Sequence, residues 1–582
     1  MAQADNASAP DLIIRNGLIA DGLGGELFTG DITIQDGRIV EVGKVSATGK
    51  EEFDAAGKLV TPGFIDVHTH YDGQAVWSQR LSPSSSHGVT TVIVGNCGVG
   101  FAPCRQSDHA LLVSVMEGVE DIPEIVMTTG LDWSWETFPQ FLDVLDSRPH
   151  DIDLGAYLPH SPLRVYTMGE RGARQEPASP EDLQKMEDLA FEALKAGAMG
   201  FATSTTPAHR TGSGEQIPSY LSGEAEYQAI ARALRRAGGG VFQMVLDLRQ
   251  DPYSEAYVPM LSRLSKASGG VVSFSLTQLN SHPDYWRGAL EAVTEANAKP
   301  GVEIRPQIYP RPIGMLLGLD LTLNPFSLCP SYQPLAKLPL AERLEALRDP
   351  AMRERLLNET PADPTFPLFV IARQFDRLFP LRTAGDYEPD PQNSIAALAA
   401  RSGRSPLEEA YDLLLEDDGR AIILATLTNY AHNSLEDVRE MMVHPDTIVA
   451  LGDGGAHYGL VCDASFPTFV LTHWTRDRGH GRISVPEAIK SLTSSPAGLV
   501  GLKDRGVIAP GYKADINVID YDRLKLCMPR TAYDLPGGGR RLDQAAEGYA
   551  ATFVSGAAIQ LDGKPTGALP GRLIRGPQSA AA

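Results

Sequence analysis

The residues best suited to chemistry lie in Gly63-Phe64-Ile65-Asp66-Val67-His68-Thr69-His70. An apolar run, Leu59-Val60-Thr61-Pro62-Gly63-Phe64-Ile65, leads directly into His-x-His. Alternate side chains of a strand share one face. His68 and His70 therefore project together from a strand end, with Asp66 on the same side. Two imidazoles beside a carboxylate suit a divalent transition metal. A bare His-x-His also occurs as exposed or capping histidines. Its place after a buried strand, and the residues downstream, favour the metal.

Between residues 90 and 452 the chain alternates strand-like and helical stretches. The strand candidates are 90–94, 154–158, 199–203, 240–245, 271–276, 302–308 and 448–452. Ser179-Pro180-Glu181-Asp182 opens a helix with a cap, a proline at its first position and acids in its first turn. Such alternation implies a parallel sheet, here an α/β fold built on a (β/α)8 TIM-like barrel over residues 63–504. Residues 320–415 break the rhythm and read as a helical insertion that could lie over the barrel mouth. Both ends are strand-rich, with Asn16-Gly17 and Asp36-Gly37 as hairpin signals. Residues 11–62 and 505–573 are expected to build one β-sandwich domain from both termini.

The barrel rule puts functional groups at the C-terminal ends of strands. It selects His68 and His70 after the first strand, Cys97 after the second, His160 after the third and Asp453 after the last. Asp453 could touch a metal and accept a proton from water, or simply cap its turn. Cys97 could be a thiolate ligand or a buried free thiol. His160 and His457 could bind substrate, support the ligands or be structural.

The 582 residues imply two to four structural units, with globular composition at 43% hydrophobic and 21% charged. A net charge of −22 argues against nucleic acid or an anionic membrane as the partner. No apolar run reaches a membrane span. Five scattered cysteines fit a reducing compartment rather than a disulfide framework. With no signal peptide visible in the N-terminal residues, a cytoplasmic protein is expected. Closed homo-oligomers are common for soluble proteins, but no interface can be read from the sequence.

These residues, in this order, resemble the amidohydrolase superfamily and, within it, the D-aminoacylase (N-acyl-D-amino-acid deacylase) branch. The likeness rests on 62–72, on 88–98, on Ala196-Gly197-Ala198-Met199-Gly200-Phe201, on Leu451-Gly452-Asp453-Gly454-Gly455 and on 501–515. It implies a metal-dependent hydrolase of a small-molecule amide, with one or two divalent ions and zinc as the first candidate. By that resemblance His68, His70, Cys97 and Asp453 match metal positions, and Asp453 matches the catalytic base and acid.

Two departures matter. Gln243 stands where the family places a histidine, and Ser275-Leu276-Thr277-Gln278 replaces a Ser-His-x-Lys strand end. An amide oxygen is a weaker donor than imidazole. This implies one metal held mainly by His68, His70 and Asp453, or a rebuilt site. Gln243, Gln278 and Tyr309 become candidate substrate contacts. Arg311 could replace the missing positive charge toward a substrate carboxylate, or form a salt bridge. The expected reaction is hydrolysis of an amide C–N bond, of an N-acyl (D-)amino acid or a related amide. A cyclic imide, lactam or ester is the alternative substrate, and a metal-free scaffold is the alternative class.

Overall fold

The computed structural model describes residues 9–247 and 253–579. Eight strands form one parallel sheet in sequence order. They are β1 (Phe64–Asp66), β2 (Val89–Val94), β3 (Asp153–Pro159), β4 (Gly200–Ser204), β5 (Val241–Val245), β6 (Val272–Ser275), β7 (Ile304–Ile308) and β8 (Ile448–Val449). The apolar runs expected as strands supply β2 to β8. Strands β2, β3 and β4 are buried at every position, as a sheet covered on both faces requires. Helices return the chain between strands, among them α1 (His109–Glu120) and α2 (Pro180–Ala196). Ser179 and Asp182 form a reciprocal capping box at the start of α2.

β8 is short because the backbone turns left-handed just beyond it, at Leu451 (φ 69°) and Asp453 (φ 46°). There the last strand meets the first. The Asp453 amide donates to the His68 carbonyl at 3.1 Å, and the His70 amide donates to the Gly454 carbonyl at 2.8 Å. These two bonds close the sheet at the level of the candidate residues.

Strands from both ends of the chain share a second, mixed sheet of nine strands. The N-terminal side supplies Leu12–Ile19 to Leu59–Pro62, and the C-terminal side supplies Ile516–Ile519 to Lys564–Pro565. The strands are hydrogen-bonded in one continuous run, and Arg38 bridges back to Lys513 on the C-terminal side. One face packs Ile14, Ile32, Ile34, Ile516, Val518 and Phe553 into a small core. Asp36-Gly37 makes the expected two-residue turn, with φ 51° and 72°. Asn16-Gly17 does not turn the chain. It is a bulge inside the first strand, with Asn16 at φ 55°. The bulge lets residues 12–15 pair with 51–54 and residues 18–19 pair with 59–60. A side chain at Gly17 would meet Val60 at 2.6 Å, which explains the glycine.

Residues 313–428 contain the expected helical stretch, with helices Leu340–Arg348, Pro350–Asn358, Ile395–Ser402 and Pro406–Leu414. They also contain a three-stranded antiparallel sheet, Ile313–Leu317, Leu378–Pro380 and Ile423–Thr428. This unit has its own apolar core, and Leu460 from the loop after β8 is part of it. Among the described residues no helix is long and apolar enough to cross a membrane.

The terminal sheet is tied to the barrel by a buried charge cluster. Asp153 at the start of β3 takes ion pairs from Arg505 and, at 2.8 Å, from Lys513. Arg505 also donates to Thr91 on β2 and pairs with Asp504. Burial alone would raise the Asp153 pKa, but Lys513 and Arg505 override it and hold the carboxyl below its ordinary value. A depressed carboxyl stabilises the fold above its unfolded pKa and stops doing so as pH falls. Asp153→Ala leaves two buried cations without their shared partner and should cost about 3 kcal/mol, read as a lower urea midpoint at pH 7. That difference from the parent should shrink once pH falls below about 4.

Candidate metal centre

Both histidines of the opening motif are buried, each 1% exposed. His68 Nε2 lies 3.3 Å from Cys97 Sγ and 3.6 Å from Asp453 Oδ1. His70 Nε2 lies 3.8 Å from the same sulfur and 3.7 Å from the same oxygen. A tetrahedral zinc with the usual bond lengths separates its donor atoms by roughly 3.3–3.8 Å. The two nitrogens and the sulfur lie within 4.8 Å of one another and have the spacing of one coordination sphere, with the Asp453 oxygen beside the two nitrogens. The set also suits a divalent transition metal by type, with two imidazoles, one soft thiolate and one carboxylate.

The far ring nitrogens decide which tautomer is present. His68 Nδ1 is 2.7 Å from Gln307 Oε1. The amide orientation is fixed because Gln307 Nε2 donates to Ser273 Oγ at 3.1 Å. An amide oxygen only accepts, so His68 carries its proton on Nδ1 and offers the Nε2 lone pair. His70 Nδ1 faces Glu120 Oε1 at 3.3 Å, and Glu120 Oε2 lies 3.6 Å from His457 Nε2.

Backbone detail brings the donors together. Cys97 sits at φ 57° after Gly95 at φ 80°, a left-handed pair that swings the thiol inward. Asn96 Nδ2 holds the turn by donating to the Thr69 and Ile93 carbonyls, and Asp72 accepts from the Gly95 amide. Around Asp453 the glycines permit close approach. A Cβ on Gly452 would lie 2.1 Å from Asp66 Oδ2, and one on Gly455 would lie 2.8 Å from the His70 backbone.

The pocket disfavours charge of either sign. Burial pushes His68 down to about 4 despite its bond to Gln307, and His70 falls well below its usual value. Burial, with neighbouring carboxylates adding to it, raises Cys97, Glu120 and Asp453 well above theirs. Asp66 and Asp72 are each pushed up to about 7, chiefly by burial. A divalent cation inverts this balance, because it favours every anionic donor at once.

The remaining sequence candidates are dispersed. Gln243 on β5 is fully buried, and neither of its amide atoms has a partner among the described residues. His457 stands beside Glu120, with its side chain 28% exposed. The structure does not bring the others to the four donors. Gln278 spends its side chain on Asp437, His432 and the Ala431 amide. His160 bonds Thr203 and Glu226, and Glu226 also pairs with Arg164. Tyr309 donates to the Asp463 carbonyl. Arg311, a candidate either for a substrate carboxylate or for a salt bridge, is 1% exposed and bonded to Asp463, Ser465 and the Cys462 carbonyl.

Three neighbours of the site escaped sequence reasoning. Gln307 lay in an expected strand but is an ordinary polar residue there. Glu120 ends a helix, where a carboxylate reads as solvated. His209 lies in a loop, and its pKa is pushed down to about 3 by burial, His457 and His68.

A small cavity of about 20 Å³ adjoins Asp453. Its walls include Tyr458, Asp463, Ser465, Arg541 and Gln544. Arg541 is bound through two bonds to Asp534, at 2.9 and 2.8 Å, and reaches Asp543 at 3.2 Å.

The sequence pattern of the amidohydrolase family matches residues 51–559. The chain belongs to the amidohydrolase family. As an amidohydrolase it is a hydrolase of carbon–nitrogen bonds other than peptide bonds, on the D-aminoacylase branch. It is 26% identical to N-acyl-D-glutamate deacylase of Alcaligenes xylosoxydans xylosoxydans, over 97% of this chain and 96% of that one. It is 25% identical to D-aminoacylase of the same organism, over 99% of each. Among solved structures it resembles N-acyl-D-glutamate deacylase from Bordetella bronchiseptica, complexed with zinc and a phosphonate inhibitor. That likeness has a TM-score of 0.61 at 23% identity, covering 98% of this chain and 100% of the other.

The electrostatics give this amidohydrolase site a signed pH dependence. Its imidazoles are neutral above pH about 5, so protons do not compete for them at neutral pH. Burial works against the anionic forms of Cys97 and Asp453, so a cation that binds them favours loss of their protons. Zinc added to metal-free protein should release protons, and its affinity should rise from pH about 6 to about 8. Calorimetry in buffers of different ionisation enthalpy measures both, and pH-independent binding without proton release would contradict the assignment.

Proposed function

We propose that this chain is a metal-dependent deacylase of an N-acyl amino acid or a closely related small amide. The observation that carries the reading is the convergence of His68 Nε2, His70 Nε2 and Cys97 Sγ within 4.8 Å of one another, with Asp453 Oδ1 at 3.6 and 3.7 Å from the two nitrogens, beside a small cavity. These four residues would hold a single divalent ion, with zinc favoured by the thiolate. When bound, such an ion supplies Lewis acidity toward a carbonyl and acidifies water. Asp453 is the donor whose side chain remains partly open, at 24% exposed. It takes the proton of the attacking water and returns it to the leaving nitrogen. Gln243, with both amide atoms unpartnered among the described residues, offers a donor and an acceptor to the substrate. Residues 313–428 pack against the loop after Asp453 and shape what enters.

The names of the relatives support the acyl-amino-acid class. One observation favours a second reading, a neutral or cyclic amide. Arg311 and Arg541, the cations beside the pocket, are each already paired with aspartate.

Metal analysis of the purified protein should give a single divalent ion per chain, lost in His68→Ala and His70→Ala variants. Asp453→Asn should keep the fold and lower kcat by about 10³. A panel of N-acyl-D-, N-acyl-L- and cyclic amides then separates the two substrate readings. Protein that ignores zinc and manganese, or a His68→Ala/His70→Ala variant with undiminished hydrolysis, would sink the proposal.

A further inference from the structure

Glu120 is a buried carboxylate with no counter-charge. It is the last residue of α1 and is 1% exposed. A carboxylate there sits at the negative end of the helix dipole, and burying it unpaired costs several kcal/mol. Its ionisable contacts among the described residues are His70 Nδ1 at 3.3 Å and His457 Nε2 at 3.6 Å. Both imidazoles are held neutral by burial, and the carboxylates that act on Glu120, Asp453 and Asp72, carry its own sign. No stabilising role within the empty fold accounts for this residue.

The geometry supplies one. His70 has Nδ1 facing Glu120 and Nε2 in the cluster with His68 and Cys97, so a cation held there lies behind the imidazole as seen from the carboxylate. Resting on the metal-dependent reading above, we propose that Glu120 is a positioning residue of the metal centre. It accepts the His70 Nδ1 proton and thereby fixes the Nε2 lone pair on the metal. His457 steadies its second oxygen. The proposed bond would parallel that of His68 to Gln307: His70 Nδ1 and Glu120 Oε1 face each other at 3.3 Å, and neither atom has a hydrogen-bond partner among the described residues. A charged acceptor makes the imidazole the stronger ligand, and such outer partners are worth about 10–100-fold in metal affinity.

The surrounding backbone shows that the placement is built. The His457 amide donates to the Glu120 carbonyl. Asp121, the next residue, accepts from the Gly459 amide at 3.0 Å and from Thr322 Oγ1 at 3.3 Å. Gly118 lets the loop of residues 210–212 press on α1, where a Cβ would lie 2.1 Å from the Thr211 backbone. The end of α1 is thus pinned to the loop that carries Asp453.

The test compares the parent with Glu120→Gln and Glu120→Ala, using zinc and cobalt alone as probes. Competition titration should show zinc affinity about tenfold weaker in Glu120→Gln and up to about 100-fold weaker in Glu120→Ala. The visible bands of the cobalt-loaded variants should shift. In metal-free protein, Glu120→Gln should melt at the parent temperature or above it, since an uncompensated buried carboxylate is removed. Unchanged affinity in both variants, or a loss confined to metal-free stability, would overturn the role of Glu120 alone. A parent that takes up neither metal would overturn the reading of the site as well. One measurement needs no variant. Long-range proton–nitrogen spectra of the zinc-loaded parent should show His70 protonated at Nδ1, and protonation at Nε2 overturns the proposal.

Discussion

Two backbone hydrogen bonds, from Asp453 to His68 and from His70 to Gly454, are the interaction on which the site depends. They join the last strand of the barrel to the first, just past the point where both have ended as strands. Without them Asp453 and the histidine pair would belong to separate loops. Crowding explains the glycines around Asp453: a Cβ on Gly452 or Gly454 would meet the side chains of Asp66, Phe466, Ser84 or Tyr71, and one on Gly455 the His70 backbone. The bonds also require left-handed backbone at Leu451, Asp453 and His457. Each such residue costs of order 1–3 kcal/mol and persists only where packing over-determines it. That strain is concentrated within one loop, beside the groups that do the chemistry.

Closure has an electrostatic consequence. It shuts imidazoles, a thiol and carboxylates into a site where burial opposes every charge. His68 and His70 are therefore neutral and ready to donate lone pairs. Burial raises the pKa of Cys97 and Asp453, and a cation would offset that by favouring their anions. Gln307 completes the logic from outside by accepting the His68 Nδ1 proton, and the role proposed for Glu120 is the same toward His70. Affinity in such a site comes from orientation as much as from ligand identity.

The parts of this site legible in the sequence were those governed by strand periodicity and the barrel rule. His68, His70, Cys97 and Asp453 each end an apolar run; the first three lie within 4.8 Å of one another, and Asp453 faces the two histidines. The barrel order was legible for the same reason. What escaped was set by partners distant in sequence. Arg311 stayed open between a substrate carboxylate and a salt bridge because Asp463 lies 152 residues away. Gln278 looked like a site residue, but Asp437 and the Ala431 amide claim it. Glu120 was invisible because a helix-end carboxylate is ordinarily solvated, and only the fold buries it. Asn16-Gly17 shows the same limit on a small scale. Its dipeptide signals a left-handed backbone, which it has, but a strand that must change neighbours midway used it as a bulge.

The departures at Gln243 and at residues 275–278 then take on a physical meaning. A chain lacking imidazoles on those strands has few donors on that side of the barrel. The donors it does have are gathered on the opposite side, around the seam between β1 and β8. Recognition is left to the loop after Asp453, and that loop is clamped from two directions. Leu460 is buried in the core of residues 313–428. Gln544, from the C-terminal segment, accepts bonds from both Ser465 and Tyr387. One short loop therefore carries the proposed base at its start and the pocket wall along its length. A change in the units that clamp it moves the base and the wall together, so in this architecture substrate choice and proton transfer cannot be adjusted independently.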